Sequence, residues 1–174
     1  VACEVHNQVS GMETAGYIVK MRKEIGATLD VVESTGVGGG LVDRLHELGE
    51  NVLAIEPGSK SNQPTRFRNL RTEIIWNARE TFEKRDVKIS NDEDLISQLS
   101  SMRYKMSSDQ VISLEPKLET KKRLGKSPDK ADAYCFGLWG LKFAIPAKEG
   151  EDGRLKIRKQ IATMRAGVGK YGGW

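Results

Sequence analysis

LDVVESTGVGGGLVDRL, residues 29–45, reads as a strand, a glycine turn and a helix in immediate succession. Leu29-Asp30-Val31-Val32-Glu33 is short and β-branched, which suits a strand. Gly36-Val37-Gly38-Gly39-Gly40 forms the turn, and Leu41, Val42, Leu45 and Leu48 then recur at helical spacing until Gly49 stops the helix. Glu33 falls at the strand's carboxyl end, where open α/β sheets bind their ligands. Outward from this unit, residues 51–55 (NVLAI) form a second strand. Residues 11–26 form an amphipathic helix with Ala15, Ile18, Val19, Met21 and Ile25 on one stripe. Residues 1–6 (VACEVH) alternate like a strand, so strand–helix–strand–helix–strand covers residues 1–55. That alternation predicts an α/β layer with parallel strands.

Further along, residues 56–65 (EPGSKSNQPT) are a turn-rich loop, and a long helix is expected from Phe67 to Lys84. Leu70, Ile74, Ile75, Ala78 and Phe82 point inward on it, with Trp76 in or beside the core. A short strand at Val87-Lys88-Ile89 and a helix opened by Asn91, burying Leu95, Ile96 and Leu99, come next. A strand over residues 111–114 would pair with 87–89 or with a nearby edge. SPDKADA, residues 127–133, opens another helix, with Ser127 as N-cap, Pro128 in the first turn and an apolar run over 134–139. Asp129 and Asp132 are three residues apart and share a face. Two close carboxylates repel unless a cation or a proton lies between them. The plainer alternative is an acidic first turn favoured by the helix dipole. Residues 144–174 interleave glycines with basic residues and read as a flexible tail, with Ile157 to Met164 as a short helix.

The chain has 174 residues, 38% of them hydrophobic and 30% charged, with a net charge of +4. That suits one domain with a tail and permits polyanion binding. Arg66, Arg68 and Arg71 cluster at one helix start. Lys117, Lys121, Lys122, Arg123, Lys126 and Lys130 run up to and into the paired aspartates. A positive rim about an acidic centre suits metal-dependent chemistry on a phosphodiester, although each basic residue alone also fits a solvated helix face. Gly36 and Gly38, with Leu41 in the third slot, only half match a dinucleotide loop, and Glu33 ahead of them would repel a pyrophosphate. No Gly-Lys-Ser/Thr follows, which excludes a Walker loop. The preferred reading takes Glu33 as a metal ligand and the glycines as room for a nucleic-acid backbone. Cys3 and Cys135 are too few for a disulfide framework and read as reduced and structural. His6 and His46 lie near no cysteine pair, so no structural zinc is expected. No apolar run is long enough to span a bilayer and no secretory signal pattern occurs, so an intracellular protein is expected.

Taken in order, GMETAGYIV (11–19), VVESTGVGGGLVDRLHELG (31–49), RFRNLRTEIIW (66–76), DLISQLSSMRY (94–104) and SPDKADA (127–133) resemble the nuclease domain of the large terminase subunit of tailed bacteriophages. The similarity covers about residues 4–143. It implies an RNase H-like α/β fold, a mixed central sheet flanked by helices, over residues 1–143, with 144–174 a Gly-rich basic tail. It implies a metal-dependent endonuclease that cuts double-stranded viral DNA during genome packaging, in the cytoplasm of the infected bacterial host. The implied partners are DNA, an ATPase motor domain, the portal and the small terminase subunit, with no membrane. A non-catalytic DNA-binding or docking domain that keeps the fold is the alternative. The family's acids match Glu33, Asp129 and Asp132, which would be catalytic and hold Mg²⁺ or Mn²⁺, two ions in the intact site. The family's first-strand aspartate has no counterpart here: no Asp precedes Asp30, and Glu4 sits in an unlike context. The chain is therefore expected to be N-terminally incomplete, to hold metal loosely or singly, and to cleave DNA slowly or not at all by itself.

Two divalent ions about 3.5–4 Å apart activate a water and stabilise the leaving oxygen in such hydrolysis. Arg66, Arg68, Lys121, Lys122, Arg123 and Lys126 are expected to hold the DNA backbone without reading sequence. Asp43 is expected to pair with Arg44 or a neighbouring basic group. Asp30 is expected to be a strand-edge acid or a secondary metal contact. Removing either aspartate, or Glu33, is expected to leave stability unchanged or higher by relieving repulsion.

Overall fold

The computed structural model describes residue 6 and residues 8–144 of the chain. The expected first strand, Cys3, Glu4 and the tail helix lie outside the described residues. Ten elements follow in order: α1 (Gly11–Ile25), β1 (Asp30–Glu33), α2 (Gly38–Glu47), β2 (Val52–Ile55), α3 (Leu70–Glu83), α4 (Glu93–Ser100), β3 (Tyr104–Met106), β4 (Ile112–Leu114), α5 (Lys117–Leu124) and α6 (Asp129–Gly140). They gather into two compact units. One holds Gln8–Ile55 with residues 140–144, the other Glu56–Trp139.

In the first unit β1 and β2 pair in parallel, Asp30 opposite Val52 and Glu33 opposite Ile55. The connection between them is α2, as parallel neighbours require. Ala15, Val32, Val42, Leu45 and Val52 form the core, with Ile18, Val19, Leu41 and Ala54 packed on it. α1 begins with a reciprocal cap: Ser10 Oγ accepts from the Glu13 amide at 3.2 Å, and Glu13 Oε2 accepts from the Ser10 amide at 2.9 Å. It ends at Gly26, whose φ of 65° is left-handed. Ile25, expected on the buried stripe, is 70% exposed because the helix ends there.

α2 begins at Gly38, three residues before the expected Leu41. The glycines are part of the helix, and Gly38 is demanded by packing. A Cβ there would overlap the carbonyl oxygen of Glu33. Gly36 takes a φ of 63° to make the turn. The room expected for a nucleic-acid backbone is, at Gly38, taken by the chain itself.

In the second unit α3 starts at Leu70, later than expected, because Asn69 caps it by accepting from the Thr72 amide at 3.0 Å. Phe67 is instead bridged to Ile112 of β4. Ile74, Ile75 and Ala78 are buried, and Trp76 is half-buried with its ring edge-on to Tyr104, centroids 5.0 Å apart. Residues 87–89, read as a strand, form none. β4 pairs antiparallel with β3, Lys105 opposite Ser113, a nearby edge rather than residues 87–89. α4 is capped by Asp92, not Asn91. It buries Leu95 and Gln98, while Ile96 is 39% exposed; Gln98 faces α6, where its Oε1 accepts the Ala131 amide at 3.2 Å. Cys135 is buried on α6, and burial, with the nearby Asp132 charge, pushes its thiol up to about 12.

Candidate functional site

The paired aspartates sit on the first turn of α6 in different surroundings. The carbonyl of Pro128 accepts the Asp132 amide at 2.9 Å and so starts the helix. Ser127, directly ahead of the helix, donates its hydroxyl to Asp129 Oδ1 at 2.6 Å. The Asp129 side chain is 71% exposed and that of Asp132 only 5%. Between them lies the ammonium of Lys117, the first residue of α5, 2.9 Å from Asp129 Oδ1 and 3.0 Å from Asp132 Oδ2. Arg71 on α3 donates to Asp132 Oδ1 at 2.9 Å. Repulsion between the two carboxylates is thus offset by a cation, and that cation is a lysine.

The electrostatics follow this geometry. Desolvation alone would raise Asp129. The hydrogen bond from Ser127 and the charge and hydrogen bond of Lys117, with Lys121 beyond, outweigh it and hold the carboxyl below its usual range. Lys117 is held above its usual value, since the bonds and charges of Asp129 and Asp132 outweigh the effect of its burial. Arg71 Nε is buried with no hydrogen-bond partner among the described residues, and Asp132 supplies that guanidinium's ion pair. The expectation that removing Asp132 leaves stability unchanged or higher is reversed by this partner: a buried guanidinium would lose its carboxylate.

Glu33 belongs to the other unit. It ends β1, half-buried, directly before Ser34, whose amide and hydroxyl donate to the Ile55 carbonyl at 2.8 and 3.1 Å. The register puts it at the carboxyl end of the parallel pair, as its position in the sequence required. Among the described residues no group of three or more His, Cys, Asp or Glu side chains gathers closely enough to hold a metal. The donors are nonetheless of the right kind. Glu33, Asp129 and Asp132 offer only carboxylate oxygen, which suits a hard cation, and the aspartate pair already accepts a positive group.

Asp30 is no surface acid: its side chain is 10% exposed and accepts from Arg22 at 3.2 Å, while Arg22 also pairs with Glu50. Burial raises its carboxyl to about 6, against the pull of Arg22 and with the push of Glu50. Arg44 pairs with Glu47 at 2.9 Å, not with Asp43.

The expected DNA contacts divide the same way. Arg66 pairs with Glu80 at 2.6 Å and lies over the Phe67 ring at 4.8 Å. Lys122 pairs with Glu119 at 3.1 Å. Arg123 binds Glu115 at 2.5 Å and the Ser101 carbonyl at 2.6 Å, and Lys126 pairs with Asp94. Arg68 and Lys121 are exposed, and neither forms an ion pair among the described residues. Sequence reading missed Lys117 and Arg71 as partners of the aspartates. Lys117 stood in the basic run, with nothing in its spacing to set it apart.

No family model and no curated protein matches the chain. Solved structures do. A single-residue variant of the nuclease domain of the large terminase subunit gp2 of bacterial virus Sf6, with manganese, aligns at TM-score 0.56 and 20% identity, over 70% of this chain and 71% of that one. The corresponding variant with calcium aligns at 0.55 and 20%, over 70% of each chain. The nuclease domain of the same subunit aligns at 0.52 and 20%, again over 70% of each. The likeness is one of fold, at about 20% identity. The chain has the α/β, RNase H-like fold of the nuclease domain of a phage large terminase subunit.

Proposed function

We propose that this chain is a divalent-metal-dependent endonuclease that cuts double-stranded viral DNA during genome packaging. The observation that carries this reading is the carboxylate pair Asp129 and Asp132 sharing one cation, Lys117, on the fold of a terminase nuclease domain. Solved structures of that fold with manganese and with calcium support a divalent metal. Glu33, Asp129 and Asp132 would hold Mg²⁺ or Mn²⁺, two ions in the intact site. When bound, the metal supplies a nucleophilic water near neutral pH and charge stabilisation at the leaving oxygen. The residues of this chain do the rest. Arg71 fixes Asp132 in one orientation, Lys117 balances the pair's charge, and Arg68 and Lys121 take the DNA backbone. Arg66, Lys122, Arg123 and Lys126 contribute less, because each already neutralises an acid. The ATPase motor, portal and small subunit, and the infected bacterial cytoplasm, are the setting this function implies.

The test is supercoiled-plasmid relaxation with Mn²⁺. Nicking that EDTA abolishes and Asp129→Ala removes is expected. Folded intact-length protein that binds duplex DNA yet leaves plasmid intact across Mg²⁺ and Mn²⁺ would falsify the nuclease reading, whereas the 174-residue chain by itself is expected to cut slowly or not at all. One observation favours the alternative, a DNA-binding or docking domain that has kept the fold: Lys117 and Arg71 already neutralise both aspartates. Binding without cutting, unchanged by Lys117→Ala, is the outcome that supports it.

A further inference from the structure

Residues 57–72 contain no Asp or Glu but carry Lys60, Arg66, Arg68 and Arg71. Most of this stretch is the connection into α3, and it is bonded throughout. Ser59 donates its amide and hydroxyl to the Glu56 carbonyl at 3.0 and 2.7 Å. The amides of Arg66 and Phe67 both donate to the Gln63 carbonyl at 2.9 Å. The Leu70 amide reaches back to Ser59 and that of Arg71 to Pro57, each at 2.9 Å. Arg68 donates its amide to the Ile112 carbonyl at 2.9 Å, and the Ile112 amide donates to Arg66 at 2.8 Å, which clamps the loop's exit to β4.

At the centre of this loop is a carboxylate. Glu73, on the first turn of α3, is 4% exposed and forms no ion pair among the described residues. Its Oε2 accepts from Ser61 Oγ and from the Asn62 amide, both at 2.7 Å, and Oε1 faces Gln63 Nε2 at 3.5 Å. Ser61, itself 4% exposed, also accepts from the Gln63 amide at 2.9 Å. A buried acid without a cation is a poor device for stability, and an apolar side chain of similar volume would serve a core better. What Glu73 does is fix three consecutive residues of an irregular loop. Outward from it, Lys60, Asn62, Gln63, Thr65, Arg66 and Arg68 are all exposed. Lys60 and Arg68 form no ion pair among the described residues.

We propose that the 59–68 loop is a preformed contact for the sugar–phosphate backbone of duplex DNA, and that Glu73 is its positioning residue. Cations, side-chain amides and a hydroxyl, without an acid among them, are the donors that meet phosphates and sugars. A loop ordered before binding loses little freedom when it binds. The inference rests on DNA being the substrate and adds where, and through which buried residue, it is held.

Fluorescence anisotropy of a labelled duplex, titrated in Ca²⁺ at several KCl concentrations, tests it. Thermal unfolding and hydrogen exchange over 58–67 are measured on the same proteins. Lys60→Ala/Arg68→Ala is expected to lower affinity about tenfold and to flatten the salt slope by about 2. Glu73→Gln is expected to weaken binding several-fold and speed exchange at residues 61–63, in protein that still unfolds cooperatively. Ser61→Ala gives a milder form of the same effect and serves if Glu73→Gln does not fold. A purely structural Glu73 would lower the melting temperature while folded molecules kept the parent's affinity and slope, and that result overturns its positioning role. A double variant with the parent's slope overturns the loop contact. A parent protein that binds no duplex overturns the DNA reading itself.

Discussion

Asp129 and Asp132 share one face of one helical turn, yet truncating them has opposite expected costs. Asp129 is mostly exposed, so Asp129→Ala should change stability by less than about 1 kcal/mol. Asp132→Ala would leave Arg71 buried without its carboxylate, a loss of about 3–5 kcal/mol. Urea unfolding of the two variants distinguishes these outcomes, and equal stabilities would mean that Arg71 finds another partner or solvent. Lys117 offers the complementary test. Its ammonium competes for the oxygens a metal would take, and charge-assisted bonds of this kind contribute about 1.5–3 kcal/mol. Lys117→Ala should therefore raise Mn²⁺ affinity about tenfold or more in a calorimetric titration. Unchanged affinity would place the metal away from this pair.

At the scale of elements, the junctions around β1 carry the sharpest predictions. Gly38→Ala pushes a methyl group into the Glu33 carbonyl and should cost about 1–3 kcal/mol. Gly40→Ala, where a Cβ meets nothing within 4 Å, should be neutral or stabilise α2 by about 0.5–1 kcal/mol. Melting temperatures that move together for the two would refute the packing role of Gly38. At the other end of β1, Arg22 ties the last turn of α1 to Asp30, Glu50 and the carbonyls of Ala27 and Thr28. Asp30 titrates higher when folded than unfolded, so the folded state binds its proton more tightly. Its contribution to stability is full below about pH 4 and is lost as pH rises through about 6, an effect on the order of 3 kcal/mol. The stability difference between parent and Asp30→Asn, followed from pH 4 to 7, should show this slope. A flat difference would mean that Arg22 compensates Asp30 fully.

For the whole molecule, net charge decides less than which cations are free. The chain carries +4 overall, but Arg66, Lys122, Arg123 and Lys126 are each committed to an acid. With about three free cations on phosphates, affinity for duplex DNA should fall roughly fortyfold between 50 and 200 mM salt. The fall should be the same for duplexes of unrelated sequence, since contacts to phosphates carry no sequence information. Anisotropy on two scrambled duplexes checks this, and a sequence-dependent slope would point to direct base contacts.

Hydrophobic period and turn chemistry by themselves determined the β1–α2–β2 unit, the helices around it and the position of Glu33 at a strand's carboxyl end. These are local properties, set by neighbours a few residues apart. The spacing of Asp129 and Asp132 likewise put both on one turn of α6. Only the tertiary structure decided that one is exposed and the other buried, because Arg71 and Lys117 reach them from other helices. It decided that Val87–Ile89 forms no strand and that Tyr104–Met106 does, since a three-residue strand exists only through its partner. It also separated the basic residues into structural and free, a division set by which acid folding brings within reach of each.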